Sequence, residues 1–175
     1  MQYLVDRYDP QHKLSYPPGS REAVEVASWL FFQNAGVGPM QGQANHFSRY
    51  APEKIQYGID RYRNETKRLY STLDKHLAEK GTEYIVGDRC TIADIAHVGW
   101  AASADYAGVE LGEFKALSAW LERMLKRPGV VRGRDVPEKQ EPGLSAEERK
   151  RRADEQAKEG LKWIQQGMKD DAAKK

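Results

Sequence analysis

At 175 residues and 39% hydrophobic content, the chain is long enough to bury one core of ordinary size and too short for two. Its 28 Lys and Arg against 26 Asp and Glu leave a net charge of +2, a balance that by itself gives no argument for nucleic acid or an anionic membrane as partner. One cysteine, Cys90, excludes an internal disulfide framework and points to a reducing, cytoplasmic setting. No run approaches the ~20 apolar residues of a membrane span, and the first residues carry charges where a secretion signal would be apolar.

Leu4, Val5 and Tyr8 read as the last turns of a helix, broken by "DPQHKLSYPPGS". Ser20 is a candidate N-cap, and Ala23, Val26, Ala27 and Leu30 follow at helical spacing, predicting a long helix to about residue 46 with a kink near Gly38 and Pro39. Ile55, Ile59, Tyr62, Thr66, Leu69, Leu73 and Leu77 step by three and four and predict a helix over 52–79. Thr91 and Asp94 have capping-box spacing, with Cys90 and Ile95 at the two positions of a hydrophobic staple, so a helix should open at Thr91. Phe114, Leu117, Leu121 and Met124 mark another helix, closed by Pro128 and Gly129. Beyond a polar stretch at 134–144, Ser145 and Glu148 repeat the capping-box spacing. Ala153, Ala157, Leu161, Ile164 and Met168 then form a narrow stripe, predicting a charged satellite helix. No strand alternation longer than "YIV" occurs, so the expected fold is all-α, a helical bundle of five to six core helices.

The run "GDRCTIADI", in this order of helices, resembles the signature of glutathione transferase C-terminal domains. The segment "WLFFQNAGVGPMQGQANHFSRYAPEKIQYGIDRYRNETKRLYSTLDKHL" resembles the fungal and bacterial branch that holds nitrogen-regulator prions and disulfide-bond reductases. The resemblance implies that 1–18 is the remnant of the last helix of a thioredoxin-like domain with its linker, 19–136 the helical domain, and 137–175 a charged extension. It implies that most of the thioredoxin-like domain, with its glutathione-gripping Glu-Ser pair, is missing; Met1 then reads as a truncated start, the alternative being a naturally shortened protein.

The resemblance implies glutathione as co-substrate, a small hydrophobic electrophile or a disulfide as second substrate, and a homodimer, with neither nucleic acid nor membrane as partner. A glutathione thiol reacts as thiolate, so a donor must lower its pKa. In the family that donor lies in the thioredoxin-like domain, so no catalytic residue and no metal ligand is assigned here. The resemblance to the disulfide-bond reductases implies Arg61, in "IDRY", as the glutathione contact, and a guanidinium suits a peptide carboxylate; the competing reading pairs it with Glu65 at i,i+4. The resemblance implies that this kinked helix faces the cleft between domains, which makes Asn34, Met40, Gln43, His46 and Phe47 candidates for the electrophile cleft, with the backbone at Gly36 and Gly38 able to approach a ligand; the competing reading of His46 is a surface or interface imidazole. Trp29, Phe31 and Phe32 read as core or interface aromatics, Cys90 as an inert buried thiol and His97 as a structural histidine. Trp163, Ile164 and Met168 are candidates to pack across the cleft. The alternative function is a non-enzymatic regulatory or interaction module built on the same helices.

Overall fold

The computed structural model of the chain describes residues 1–136 and 146–174, and among these every regular element is a helix, with no strand. Helix α1 spans Gln2–Tyr8 and leaves Met1, Tyr3, Leu4 and Tyr8 exposed. The loop after it is organised by Asp9, whose carboxylate accepts from the N–H groups of Lys13 (2.7 Å) and Leu14 (2.8 Å). Leu14 in turn accepts from Ile92 N–H at 3.0 Å, tying this loop to the start of α5 (Ile92–Ala101).

Helix α2 (Arg21–Phe32) begins at Ser20, whose hydroxyl accepts from Ala23 N–H at 3.1 Å, as its position predicts. The expected kink near Gly38 takes another form. A widened π turn at Gln33–Val37 joins α2 to α3 (Gly38–Asn45), and a second at His46–Tyr50 extends the helical path past residue 46. In the first, Gly38 N–H bonds back to Gln33 O and Gly38 stays right-handed at φ −58°. The wider turn absorbs a proline that lacks an N–H and would crowd a regular turn.

Helix α4 (Gln56–Lys80) realises the longest predicted stripe: Ile59, Thr66, Leu69, Leu73 and Leu77 are buried, while Ile55 stands just before the first turn and is exposed. Gly81, at φ +63°, closes it in a left-handed cap. Helix α4 packs against α3 and against α6 (Lys115–Leu125), which brings Leu117, Trp120 and Met124 into the same core. A short α7 (Pro128–Arg134) follows.

Gly58 is buried where α4 meets the second π turn, and a Cβ there would lie 2.6 Å from Phe47 Cδ1. Gly58→Ala gains up to ~1 kcal/mol in helix propensity. Overpacking costs ~1–3 kcal/mol, so net destabilisation is expected, read as a lower Tm; an unchanged or higher Tm would show that the ring yields freely.

Helix α8 (Ala146–Ala173) is the predicted satellite. It lies on the 46–50 turn, with Ala157 buried, Gly160 against the Tyr50 ring and Asp154 3.3 Å from Arg49. Of the predicted stripe Ala157 is buried and Leu161 and Ile164 are half-buried, while Trp163, beside the stripe, is 79% exposed. Ser145 and the side chains of Ala153 and Met168 lie outside the described residues, and with them the second predicted capping box.

Candidate functional site

Arg61 stands on the exposed side of α4, in a shallow depression lined by Tyr57, Asp60, Asn64, Glu65 and Arg68. The expected pairing with Glu65 does not form. Arg68 takes that carboxylate instead, with Nε and Nη2 each donating at 2.8 Å in a bidentate bridge. Glu65 is held below the usual carboxylate range, first by these Arg68 hydrogen bonds against a smaller opposing effect of burial, then by the charges of Arg68 and Arg61. Asp60 accepts from Gln56 Nε2 at 2.8 Å. Among the described residues Arg61 therefore keeps a guanidinium with no hydrogen bond or ion pair, facing solvent.

The five cleft candidates share one helical path but do not converge. Asn34 and Gln43 are exposed, and Met40 is half-buried against the core. His46 meets Phe47 edge-on at 5.4 Å, and Phe47 stacks on Tyr62 at 5.4 Å and 17°. The link to α4 thus runs through Phe47, Tyr62 and Gly58, next to Arg61 in sequence, while the depression around Arg61 is formed by α4 alone. The expectation of open backbone at Gly36 and Gly38 is corrected. A Cβ at Gly36 would lie 3.2 Å from Leu69 Cδ2, and one at Gly38 would lie 3.0 Å from Gln33 Nε2 and 3.4 Å from Trp100 Cε2. Close approach here serves helix packing.

The box at α5 is built as its spacing predicts. Thr91 accepts from Ala93 N–H at 3.3 Å, and Asp94 Oδ2 accepts from Thr91 N–H (2.9 Å) and Thr91 Oγ1–H (3.1 Å). Asp94 Oδ1 accepts two more, from Ile85 N–H and Trp120 Nε1–H, both at 2.9 Å. One carboxylate with no exposure therefore joins the 82–90 loop, α5 and α6. Of the staple pair, Cys90 is buried and Ile95 is 37% exposed, so only Cys90 lies inside the core. Burial, helped by the Asp94 charge, pushes the Cys90 thiol up to about 11, which leaves no thiolate for chemistry near neutral pH. Trp29 and Phe32 pack beside His76 and His97, whereas Phe31 is exposed.

A sequence profile for the C-terminal domain of glutathione S-transferases matches residues 39–128, a stretch that includes α4, the Thr91–Asp94 box and α6. The chain belongs to the glutathione S-transferase family. A glutathione S-transferase-like protein of Aspergillus fumigatus is 37% identical over 144 residues, covering 76% of this chain and 64% of that protein. A disulfide-bond oxidoreductase of Escherichia coli is 39% identical over 111 residues, covering 63% of this chain and 51% of that one. A solved glutathione transferase homolog from Lodderomyces elongisporus, described with two glutathiones per subunit, superposes with a TM-score of 0.75 at 44% identity, over 78% of this chain and 64% of that one. The chain thus spans from about half to under two thirds of the length of these relatives.

Within this glutathione S-transferase domain, sequence reasoning missed the polar pins of the bundle. Gln41 has no exposed surface; its Nε2 donates to Trp100 O at 2.9 Å, and its Oε1 accepts from Tyr70 O–H, joining α3, α4 and α5. The available signal was a glutamine on the same helical face as Val37 and Ala44, both fully buried. Arg49 was missed too: Nε donates to Tyr106 O at 2.6 Å, and its guanidinium lies 4.0 Å over the Tyr106 ring.

Proposed function

We propose that this protein acts on glutathione, conjugating it to an electrophile or exchanging it with a disulfide, and that its helical domain supplies one wall of the site and a carboxylate clamp. The observation that carries this reading is Arg61: with Glu65 bound by Arg68, its guanidinium is left for an incoming anion. A glutathione carboxylate fits such a fork, with two parallel N–H···O bonds. Asn34, Met40, Gln43, His46 and Phe47 form the electrophile side, with Phe47 and His46 as its apolar and half-buried part. The similarity to an oxidoreductase of disulfide bonds and to a homolog solved with glutathione supports both chemistries.

In this reading 1–18 ends a thioredoxin-like domain, 19–136 is the helical domain and 137–175 an extension; the active form is a cytoplasmic homodimer. The donor that holds the thiolate belongs to the thioredoxin-like domain. The part played by this chain is to orient the peptide and shelter the second substrate. No described helix is long and apolar enough to cross a membrane.

Titration calorimetry with glutathione tests the clamp. Arg61→Gln is expected to weaken binding about tenfold, the scale of one charged hydrogen-bond pair, while Lys75→Gln, on the exposed side of α4 and outside the depression, changes it less than about twofold. Equal losses in the two variants, or none at Arg61, would remove Arg61 from the site.

A further inference from the structure

Arg61, Glu65 and Arg68 stand on one row of α4, at spacings of four and three, so a single carboxylate lies between two guanidiniums. Side chains of a helix lean towards its N-terminus, which carries Arg68 over Glu65 and carries Glu65 towards Arg61. Arg68 holds the carboxylate with Nε and Nη2, each donating at 2.8 Å to a different oxygen. Both oxygens are thereby engaged, and Arg61 is left without a partner among the described residues. Arg61 is still within electrostatic reach, since its charge adds to the effect of Arg68 in holding the Glu65 carboxyl below the usual range.

The rest of the depression offers Arg61 little competition for Glu65. Asp60 accepts from Gln56 Nε2 at 2.8 Å, and as the sequence neighbour of Arg61 it does not face it across a helical turn. Tyr57 and Asn64 are uncharged, and the lining comes from α4 alone, so no charge of another element lines it. With Arg68 absent, Glu65 would keep an exposed carboxylate one turn from a free guanidinium. The availability of Arg61 thus follows from which arginine Glu65 takes.

We propose that Arg68 is a positioning residue for the glutathione site: by occupying Glu65 it keeps Arg61 out of an internal ion pair and open to the peptide carboxylate. Its effect on binding rests on the glutathione reading. The exchange of partners at Glu65 does not, and it is read without glutathione, so the two can fail separately.

Carboxyl ¹³C titration of Glu65 and calorimetry with glutathione, both on the full chain at low salt where exposed pairs are least screened, decide it. Asp60, Arg61 and Arg68 are exposed and Glu65 partly so, so the substitutions leave the core alone. In the ligand-free parent and in Arg61→Gln, Glu65 should titrate below the usual carboxylate range, held by Arg68. In Arg68→Gln it should stay below that range because Arg61 takes it over, and Arg61→Gln combined with Arg68→Gln should return it there. Arg68→Gln is expected to weaken glutathione binding about threefold, the scale of one exposed ion pair, and adding Glu65→Gln should restore it. Adding Asp60→Asn instead removes the same charge from the depression without freeing Arg61, and should leave the loss in place. A Glu65 that returns to the usual range in Arg68→Gln alone would overturn the positioning role. So would capture of Glu65 by Arg61 with binding unchanged in Arg68→Gln, or rescue by Asp60→Asn as complete as by Glu65→Gln. Capture with no effect of Arg61→Gln on binding would end the glutathione reading, and the positioning role with it, while the exchange at Glu65 stood.

Discussion

Asp94→Ala is expected to remove on the order of 5 kcal/mol of stability, enough to leave much of the protein unfolded at 37 °C. The side chain is fully buried and its two oxygens accept four hydrogen bonds. Thr91 Oγ1–H can turn elsewhere, but the N–H groups of Ile85 and Thr91 and the indole N–H of Trp120 are fixed and would lose their acceptor. A buried donor left without an acceptor costs ~1–3 kcal/mol, whereas an exposed N-cap is worth ~1 kcal/mol. Three such donors place the loss well above that of a cap, at a fall in Tm of roughly 10–20 °C for a chain of this size. Thr91→Ala removes the cap and keeps the carboxylate, so it should cost ~1–2 kcal/mol. Thermal unfolding followed by circular dichroism separates the two. Similar melting of both variants would show that Asp94 acts as a helix cap and nothing more.

The second large effect is a loss of stability in mild acid carried by His97. Its Nδ1 lies 2.8 Å from Ala93 O, so a neutral ring with the proton on Nδ1 donates there. Nε2 is buried without a partner among the described residues, close to the rings of Trp29 and Phe32. Protonation would place a charge in that aromatic surround. Burial accordingly lowers the imidazole to about 4 from the ordinary 6.5, while Ala93 O and the Asp94 charge pull weakly the other way. Because the folded value is the depressed one, the stabilisation is complete above pH 6.5 and is lost as pH falls from 6.5 towards 4. Each pH unit within that window costs ~1.4 kcal/mol, on the order of 3 kcal/mol in all. Urea unfolding between pH 5 and 7 is the cleanest interval, since carboxylates titrate mainly below it. His97→Gln keeps an N–H donor without the titration and should flatten the curve. Parallel curves for parent and variant would assign the acid sensitivity elsewhere.

The features legible in sequence are those with a local period or a local partner. The α4 stripe was readable because Ile59, Thr66, Leu69, Leu73 and Leu77 need one helix and one buried side. The Thr91–Asp94 box was readable because its members lie three apart. Its second half was not, because Ile85 and Trp120 reach Asp94 from elements that only the fold brings together. Glu65 lies four residues after Arg61 and three before Arg68, so spacing offers both pairs; side-chain direction on the helix selects Arg68. Gly36 and Gly38 advertise close approach without saying to what, and the neighbours are Leu69 and Trp100. In α8 a narrow apolar stripe correctly indicated a satellite, but a stripe does not say which of its residues packs most closely: Ala157 is buried, Leu161 and Ile164 only half-buried.

The central claim is that Arg61 and the 34–47 path form two parts of one glutathione-dependent cleft. A ¹⁵N–¹H correlation spectrum of the protein titrated with S-hexylglutathione tests it most directly. The amides of Asn34, Met40, Gln43, His46, Phe47 and Arg61 should shift along a common saturation curve, with those of Gln166–Asp171 at the end of α8 unmoved. Shifts confined to other surfaces, or Arg61 and Phe47 still at saturating ligand, would contradict the account.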